Sequence, residues 1–266
     1  MSYAARLMGL LSGRIAVVTG ASKGIGRVIG QVFASEGAAV VCAARSAGLV
    51  EQAAAEIVQS GGRALPIVAD VSTEEGARSV MDRAEAAFGR VDCLVNNAGD
   101  GGPTAPVQDY PLDDWHYTID SCLTSSYLCA RFAVPLMMRA GGGAIVNVTS
   151  MAGRRGLAYR VGYCSAKAGQ MGLTHGLALE LGPHNIRVNA VAPGAVEGDR
   201  IDRMIAAQAG LRGIAVEVMR QAFVDRAPLK RMATANDVAW AAAFLCSEHA
   251  RNISGQVIPV NAGEAG

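Results

Sequence analysis

The feature that most constrains this chain is an alternation of two kinds of segment. Short apolar runs rich in Val and Ile stand at residues 15–19, 38–43, 64–68, 93–95, 144–148, 187–191 and 257–260. Longer segments of helical pattern lie between them, among them 26–35, 49–59, 74–88, 112–139, 162–181 and 236–247. The short runs show little polar alternation, as strands covered on both faces do. Strand alternating with helix implies βαβ units, right-handed crossovers and a parallel sheet. The expectation is an α/β fold, a doubly wound parallel sheet of about seven strands flanked by helices, with residues 1–266 forming a single domain.

The rhythm breaks once. Residues 195–229 follow a Pro193-Gly194 turn and carry Ile201, Met204, Ile205, Leu211, Ile214, Val218 and Met219 at partly amphipathic spacing. An insertion after the C-terminal end of a strand stands where a lid over a binding crevice would stand. Helix starts are marked at Ser72-Thr73-Glu74-Glu75, with a hydroxyl cap and acids in the first turn, and at residues 234–237, which resemble a capping box.

The first apolar run ends in Thr19-Gly20-Ala21-Ser22-Lys23-Gly24-Ile25-Gly26, and a helix follows. Glycines there allow a tight turn and the close approach of a pyrophosphate to the helix N-terminus, whose free N–H groups and dipole favour an anion. The spacing is Gly-x-x-x-Gly-x-Gly, and the strand–loop–helix context makes it a dinucleotide loop of Rossmann type. At the end of the second run a carboxylate would hold a ribose 2′-hydroxyl, whereas a basic residue suits a 2′-phosphate. Ala44 stands at that point and Arg45 follows. Arg45 with Lys23 favours NADP(H), with NAD(H) as the alternative.

Three residues carry a chemical argument. Ser150 follows the fifth run, and Tyr163 and Lys167 are four apart, on one face of a helix. A free phenol ionises near pH 10, too high for a base at neutral pH, and a neighbouring ammonium stabilises a phenolate. A serine hydroxyl can hydrogen-bond a substrate oxygen as charge develops on it. The trio suits proton transfer to or from a carbinol oxygen while hydride moves at a nicotinamide.

With these residues in view, the chain resembles the classical short-chain dehydrogenases/reductases (SDR family) over residues 10–263. The matching motifs are the loop from Thr19 to Gly26, Asp70-Val71, Asn96-Asn97-Ala98-Gly99, Ser150, Tyr163-Cys164-Ser165-Ala166-Lys167 and Pro193-Gly194. The resemblance implies a Rossmann-type sheet, an oxidoreductase interconverting a ketone and a secondary alcohol, and a homotetramer or homodimer. It implies that Gly20, Ser22, Lys23, Gly24, Ile25 and Gly26 cradle the cofactor, with Arg45 beyond them. Asp70 and Val71 would meet the adenine, and Asn97, Ala98 and Gly99 would lie along the cofactor. Lys167 would also hold the nicotinamide ribose, with Tyr163, Pro193, Gly194 and Val196 near the ring. Two positions depart from the family pattern. Cys122 stands where an asparagine supports a proton relay, and a thiol is a poor hydrogen-bonding substitute; Cys122→Asn is therefore expected to keep or raise activity. Gly198 stands where a threonine is frequent.

Substrate contacts are expected from Ser150, Met151, Arg154, Tyr163 and Met204, with Asp100, Gly101 and Tyr159 nearby. Arg154, Arg155 and Arg160 form a basic cluster before Tyr163, read as solvated charge, as a subunit contact, or as a lure for an anionic substrate. The four histidines have no ligand spacing, so no metal is expected. Trp115 and Trp240 read as packing residues. A formal net charge of +1 offers nothing to nucleic acid. Six cysteines without a CxxC pair suit a reducing, cytoplasmic setting, and residues 1–11 lack a signal-peptide pattern. Only about a hundred residues follow Tyr163, too few for the substrate domain of an extended epimerase. A non-catalytic dinucleotide sensor would be expected to lack the tyrosine or the lysine.

Overall fold

The computed structural model describes residues 9–265; most of the N-terminal stretch considered above lies outside the described residues. Seven strands are present: β1 (Ile15–Thr19), β2 (Ala39–Ala44), β3 (Arg63–Val68), β4 (Cys93–Asn96), β5 (Gly143–Val148), β6 (Ile186–Pro193) and β7 (Val257–Val260). They form one sheet in the order β3-β2-β1-β4-β5-β6-β7, and every pairing is parallel. The sequence runs fall on these strands to within a few residues.

The physical reason is visible in the burial. β1, β2 and β4 are buried at every position, because both sheet faces are covered. Successive side chains point to opposite faces. Ala16 and Val18 of β1 join Val40 and Cys42 of β2 in a core closed by α1 (Gly24–Ser35), α2 (Ala47–Gln59) and, at the far end of the chain, α10 (Ala235–Cys246). Val17, Val41, Leu94 and Ile145 face the other way, onto α3 (Glu74–Phe88) and the helix that precedes β5. Thr73 caps α3 by accepting from the Gly76 N–H at 3.1 Å, and Thr234 with Asp237 closes a capping box on α10.

Three elements differ from expectation. Residues 112–139 are not one regular helix: α4 (Leu112–Ile119) passes into a π turn (Asp120–Thr124) and then α5 (Ser125–Arg139). Periodicity does not reveal one extra residue in a turn. A short helix, α6 (Met151–Arg155), follows β5 and precedes the long α7 (Val161–Leu181). Trp240 is exposed, so it does not pack in the core. Beyond β6, α8 (Asp199–Arg212) and α9 (Val216–Arg226) pack on each other around Ile205, Ala209, Met219 and Phe223. That small cluster is separate from the two cores of the sheet.

Because all strands are parallel, their C-terminal ends share one edge. The direction in which successive strands are added reverses between β1 and β4, which is where a parallel sheet opens a crevice. Gly20, Arg45, Asp70, Asn97, Ser150 and Gly194 all follow strand ends on that edge.

Candidate active site

The glycine loop crosses the end of β1. A β-carbon at Gly26 would overlap the Gly20 carbonyl and the Asn97 amide, so only glycine lets α1 start so close to the sheet. Gly20 and Gly24 have φ of +66° and +55°, in the left-handed region. Lys23 occupies the N-cap of α1 with no capping side-chain bond, and the first amides of α1 have no protein acceptor among the described residues. The start of α2 is alike: Ser46 is its N-cap and makes no capping bond. Helix starts left uncapped on the crevice side fit a dinucleotide's phosphates.

Arg45 is exposed just beyond β2. It donates to the Tyr117 hydroxyl at 2.9 Å and lies 3.9 Å from Asp70. That hydroxyl, more than any other contact, raises the guanidinium's pKa. Burial pushes the Asp70 carboxyl up, but two hydrogen bonds from Ser72 and the Arg45 charge outweigh it and leave the carboxyl below its ordinary value. Val71 is buried in the core. Asn97 acts on the protein itself: its side chain donates to the Thr19 carbonyl at 2.9 Å, tying the β4 end to the glycine loop. The Thr19 hydroxyl in turn accepts from the Asn97 and Ala98 N–H groups.

Ser150 is the N-cap of α6, in extended backbone, and its Oγ accepts from the Ala152 N–H at 3.1 Å. That bond uses a lone pair and leaves the hydroxyl proton free. Tyr163 lies in the first turn of α7, half-buried, and its hydroxyl has no protein partner among the described residues. Lys167, one turn on, is 4% exposed, with Nζ 5.8 Å from the Tyr163 ring centroid.

The surroundings of Lys167 were not anticipated. Its ammonium donates to the Val148 carbonyl and to Gln170 Oε1, both at 2.8 Å. Gln170 Nε2 donates to the Ser126 hydroxyl at 2.6 Å, which donates to the Cys122 carbonyl at 2.9 Å. Asn147 continues the polar seam by accepting from Asn96 and donating to Thr174, both at 2.9 Å. Gln170 is fully buried. The signal available in the sequence was a glutamine on the inward face of an otherwise apolar turn.

The π turn presents Ser121 and Cys122 to the loop after β4. Ser121 Oγ accepts from the Asp100 N–H at 3.2 Å, and the Cys122 thiol donates to the Asp100 carbonyl at 3.0 Å. A β-carbon on Gly99 would come within 2.7 Å of Cys122 Sγ. π turns recur where a backbone must be re-aimed at a site.

The basic cluster does not exist as such. Arg154 is exposed, Arg155 pairs with Glu264 at 2.7 Å, and Arg160 is buried, 8% exposed. Arg160 follows Tyr159, which has a left-handed φ of +65°, and this turn aims the guanidinium inward. Its carbon lies 5.3 Å from the Tyr163 ring centroid. Arg200, in the first turn of α8, reaches the same ring from outside the sheet, also at 5.3 Å. Met151 is buried, 1% exposed, and so presents no open surface to a substrate. Met204 packs against the small cluster of α8 and α9. Val196 is half-buried and pairs with Ala233 in an isolated bridge, while Gly194 donates to the Val260 carbonyl at 3.0 Å; Pro193 closes β6.

A cavity at the opposite edge of the sheet, near Arg14, Asp92 and Arg187, is built from satisfied groups. Asp92 is held by Arg90 and Arg14, and Arg187 donates to the Leu245 and Ser247 carbonyls. It is part of the scaffold.

A parallel sheet with an uncapped glycine loop at its switch point, and a Ser–Tyr–Lys trio beside it, defines a dinucleotide-dependent oxidoreductase. The family model described as "Enoyl-(Acyl carrier protein) reductase" matches residues 20–264. The 7alpha-hydroxysteroid dehydrogenase of Escherichia coli (strain K12) is 36% identical, over 95% of this chain and 94% of that protein. The cis-4-hydroxycyclohexanecarboxylate dehydrogenase of Sinomonas cyclohexanicum is 38% identical, over 94% and 96%. A crystal structure of NAD+-bound xylitol dehydrogenase superposes with a TM-score of 0.92 at 32% identity, covering 95% of this chain and 99% of that one. The chain belongs to the short-chain dehydrogenase/reductase family. It is an oxidoreductase of alcohol and ketone groups that uses a nicotinamide cofactor.

Proposed function

We propose that this enzyme interconverts a ketone and a secondary alcohol with NADP(H), using Tyr163 as the general acid/base. The observation that carries this reading is the Tyr163 hydroxyl, without a hydrogen-bond partner among the described residues, on a ring that lies 5.8 Å from a buried ammonium. When bound, the nicotinamide supplies or accepts the hydride. The chain's own residues do the rest. Tyr163 gives its proton to the ketone oxygen, or takes one from the alcohol. Ser150 donates its free hydroxyl proton to the same oxygen and stabilises charge there. Lys167, fixed by Val148 and Gln170, holds positive charge beside the phenol and stands ready for the ribose.

The glycine loop, from Gly20 to Gly26, holds the pyrophosphate with backbone amides. Arg45 and Lys23 hold the 2′-phosphate, aided by the unused Ser46 hydroxyl at the start of α2. The preference for NADP(H) rests on the Ala44-Arg45 pair, where no carboxylate stands. Two solved relatives carry NAD+ or NADH in their descriptions, so NAD(H) is the alternative to be measured. The chain acts as one domain, with residues 195–229 as the lid over the substrate. The family resemblance supports a homotetramer or homodimer, and six cysteines without a CxxC pair support a reducing, cytoplasmic setting; among the described residues no helix is long and apolar enough to cross a membrane.

The test is reduction of a ketone panel followed at the reduced-nicotinamide absorbance. Tyr163→Phe should lower kcat by about 10²–10⁴-fold with cofactor binding retained. Full activity in that variant would remove the proposed acid/base. KM should be lower for NADPH than for NADH, and Arg45→Asp should reverse the order; lower KM for NADH in the wild type would overturn the cofactor choice.

A further inference from the structure

Arg160 and Arg200 close on one point beside Tyr163. A β-carbon at Gly101 would overlap Arg160 Nη2 and sit 3.4 Å from Arg200 Nη2. Arg160 Nη1 is engaged, donating to the Gly102 carbonyl at 3.0 Å and to Thr104 Oγ1 at 3.1 Å. Its Nε is buried with no hydrogen-bond partner. Nη2 has no acceptor among the described residues. Arg200 donates only to the Gly99 carbonyl, at 3.3 Å. Neither guanidinium forms an ion pair among the described residues, although Arg155 nearby does.

The two cations differ in how well they are compensated: Arg200 is held above the ordinary arginine pKa, by Tyr163 first and then by Cys122 and Asp100, whereas Arg160 is not. Burial pulls Arg160 below the ordinary arginine pKa, and the Arg200 charge pushes in the same direction. Contact with the Tyr163 ring offsets part of this, since a cation is attracted to an aromatic face. It does not satisfy Nε. A planar guanidinium with free N–H groups is the natural partner of a carboxylate. Gly101 supplies the space in which the two guanidiniums converge, because any side chain there would displace Arg160.

We propose that Arg160 and Arg200 hold a carboxylate of the substrate, so that the enzyme works on hydroxy acids and keto acids. Arg160 is the fixed half of the clamp, anchored through Nη1 to the loop after β4. Arg200 is the half carried by α8, already beside the Tyr163 ring. This deepens the function proposed above and rests on it, because the carbonyl must lie at Tyr163 while the carboxylate lies at the arginines.

The test compares three probes in the wild type and in Arg200→Gln, Arg160→Gln and Arg160→Lys: 4-oxocyclohexanecarboxylate, its methyl ester, and cyclohexanone. Arg200 lies in the first turn of α8 and makes one hydrogen bond, to the Gly99 carbonyl, so its variant is expected to fold even if the Arg160 variants do not. In the wild type, kcat/KM for the acid should exceed that for the ester by about 10- to 100-fold, the range of one or two charge-assisted hydrogen bonds. In Arg200→Gln this ratio should fall close to one, through KM for the acid, with KM for the cofactor unmoved. Arg160→Lys, which keeps charge but not the fork, should give an intermediate ratio. Equal turnover of acid and ester in the wild type, or a preference that survives Arg200→Gln, overturns the clamp and leaves the ketone chemistry standing. A rise in cofactor KM in place of acid KM would also overturn it, assigning the arginines to a cofactor phosphate. If no probe is reduced, calorimetric titration of the cofactor-loaded protein decides: acid binding lost in Arg200→Gln supports the clamp, and absent acid binding refutes it.

Discussion

Replacing Gln170 with leucine removes one of the two acceptors of the Lys167 ammonium while nearly preserving volume and burial. The ammonium keeps the Val148 carbonyl at 2.8 Å but loses Gln170 Oε1 at the same distance. At 4% exposure Lys167 has little water to turn to. A hydrogen bond to a charged group contributes about 1.5–3 kcal/mol, and Ser126, which loses a donor, still gives its own proton to Cys122. Buried leucine returns part of this, so a net loss of about 2 kcal/mol is expected. For a chain of this size that is a fall in Tm of roughly 4–8 °C. The same change frees Lys167 to leave its position below Tyr163, so kcat should fall by about tenfold or more, while Gln170→Glu, which keeps an acceptor for the ammonium, should recover much of it. The decisive assay is a double-mutant cycle of Gln170→Leu with Lys167→Met, read by denaturant unfolding. Residues in direct contact should show a coupling of about 1–3 kcal/mol. Additive losses, or a leucine variant with wild-type kcat and Tm, would show that Gln170 only fills space.

Gly26→Ala should abolish cofactor binding and cost about 1–3 kcal/mol of stability, since its β-carbon overlaps the Gly20 carbonyl; Gly24→Ala meets open space and should show only the strain of its φ of +55°. Cofactor titration and thermal melts separate the two. Cys122→Asn should change stability by less than about 1 kcal/mol, because an amide can make the same donation to the Asp100 carbonyl, and should keep or raise kcat. Loss of activity there would show that the thiol itself is needed. Burial pushes the Cys42 and Cys129 thiols up to about 12 and raises Cys164 as well. Alkylation of the folded protein at pH 8, read by mass spectrometry, should therefore reach half-buried Cys164 first and speed up with pH. The Asp237 carboxyl is held below its ordinary value by the Thr234 N–H and then by its hydroxyl. Its contribution is thus full above the unfolded carboxylate pKa near 4 and lost as pH falls through the lower folded value; Asp237→Asn should flatten that part of the acid limb, by less than 1 kcal/mol for so exposed a pair.

Much of the fold was legible because a parallel sheet buried on both faces leaves a signal that needs no context. β1, β4 and β5 are apolar runs bounded by turns, and the glycine loop sits between a strand and a helix as its chemistry requires. The Ser–Tyr–Lys trio can be proposed from the sequence for a related reason: spacing along a helix and position after a strand are both sequence properties. The rest depended on tertiary packing. The π turn adds one residue to a helical turn, and hydrophobic periodicity blurs such a shift. Arg160 reads as a loop charge until Tyr159 turns left-handed and aims it inward. Gln170 reads as a stray polar residue until Lys167 and Ser126 are found on either side of it. Met151 is expected at the substrate from its place at a strand end, and its burial at the start of α6 is not visible in the sequence.

These unread features concern one problem, which is how to hold a buried ammonium and its neighbouring loop when the helix after β4 offers a cysteine instead of an amide. The thiol can donate once, and it does so to Asp100, which fixes the loop carrying Gly99 and Gly101. The backbone carbonyl of the same cysteine accepts from Ser126, whose hydroxyl in turn accepts from Gln170. The polar contact that Lys167 needs comes from its own helix, three residues on, at Gln170. The exchange has a consequence for the clamp. The loop held by Cys122 and Ser121 is the loop whose Gly101 leaves room for Arg160 and whose Gly102 carbonyl and Thr104 hydroxyl anchor it. The π turn thereby positions, through Ser121 and Cys122, the loop that carries Asp100, Gly101 and Gly102; if the arginines hold a carboxylate as proposed, a change at Ser121 or Cys122 that breaks the bonds to Asp100 should move acid/ester selectivity, whereas Cys122→Asn, which keeps its bond, should not.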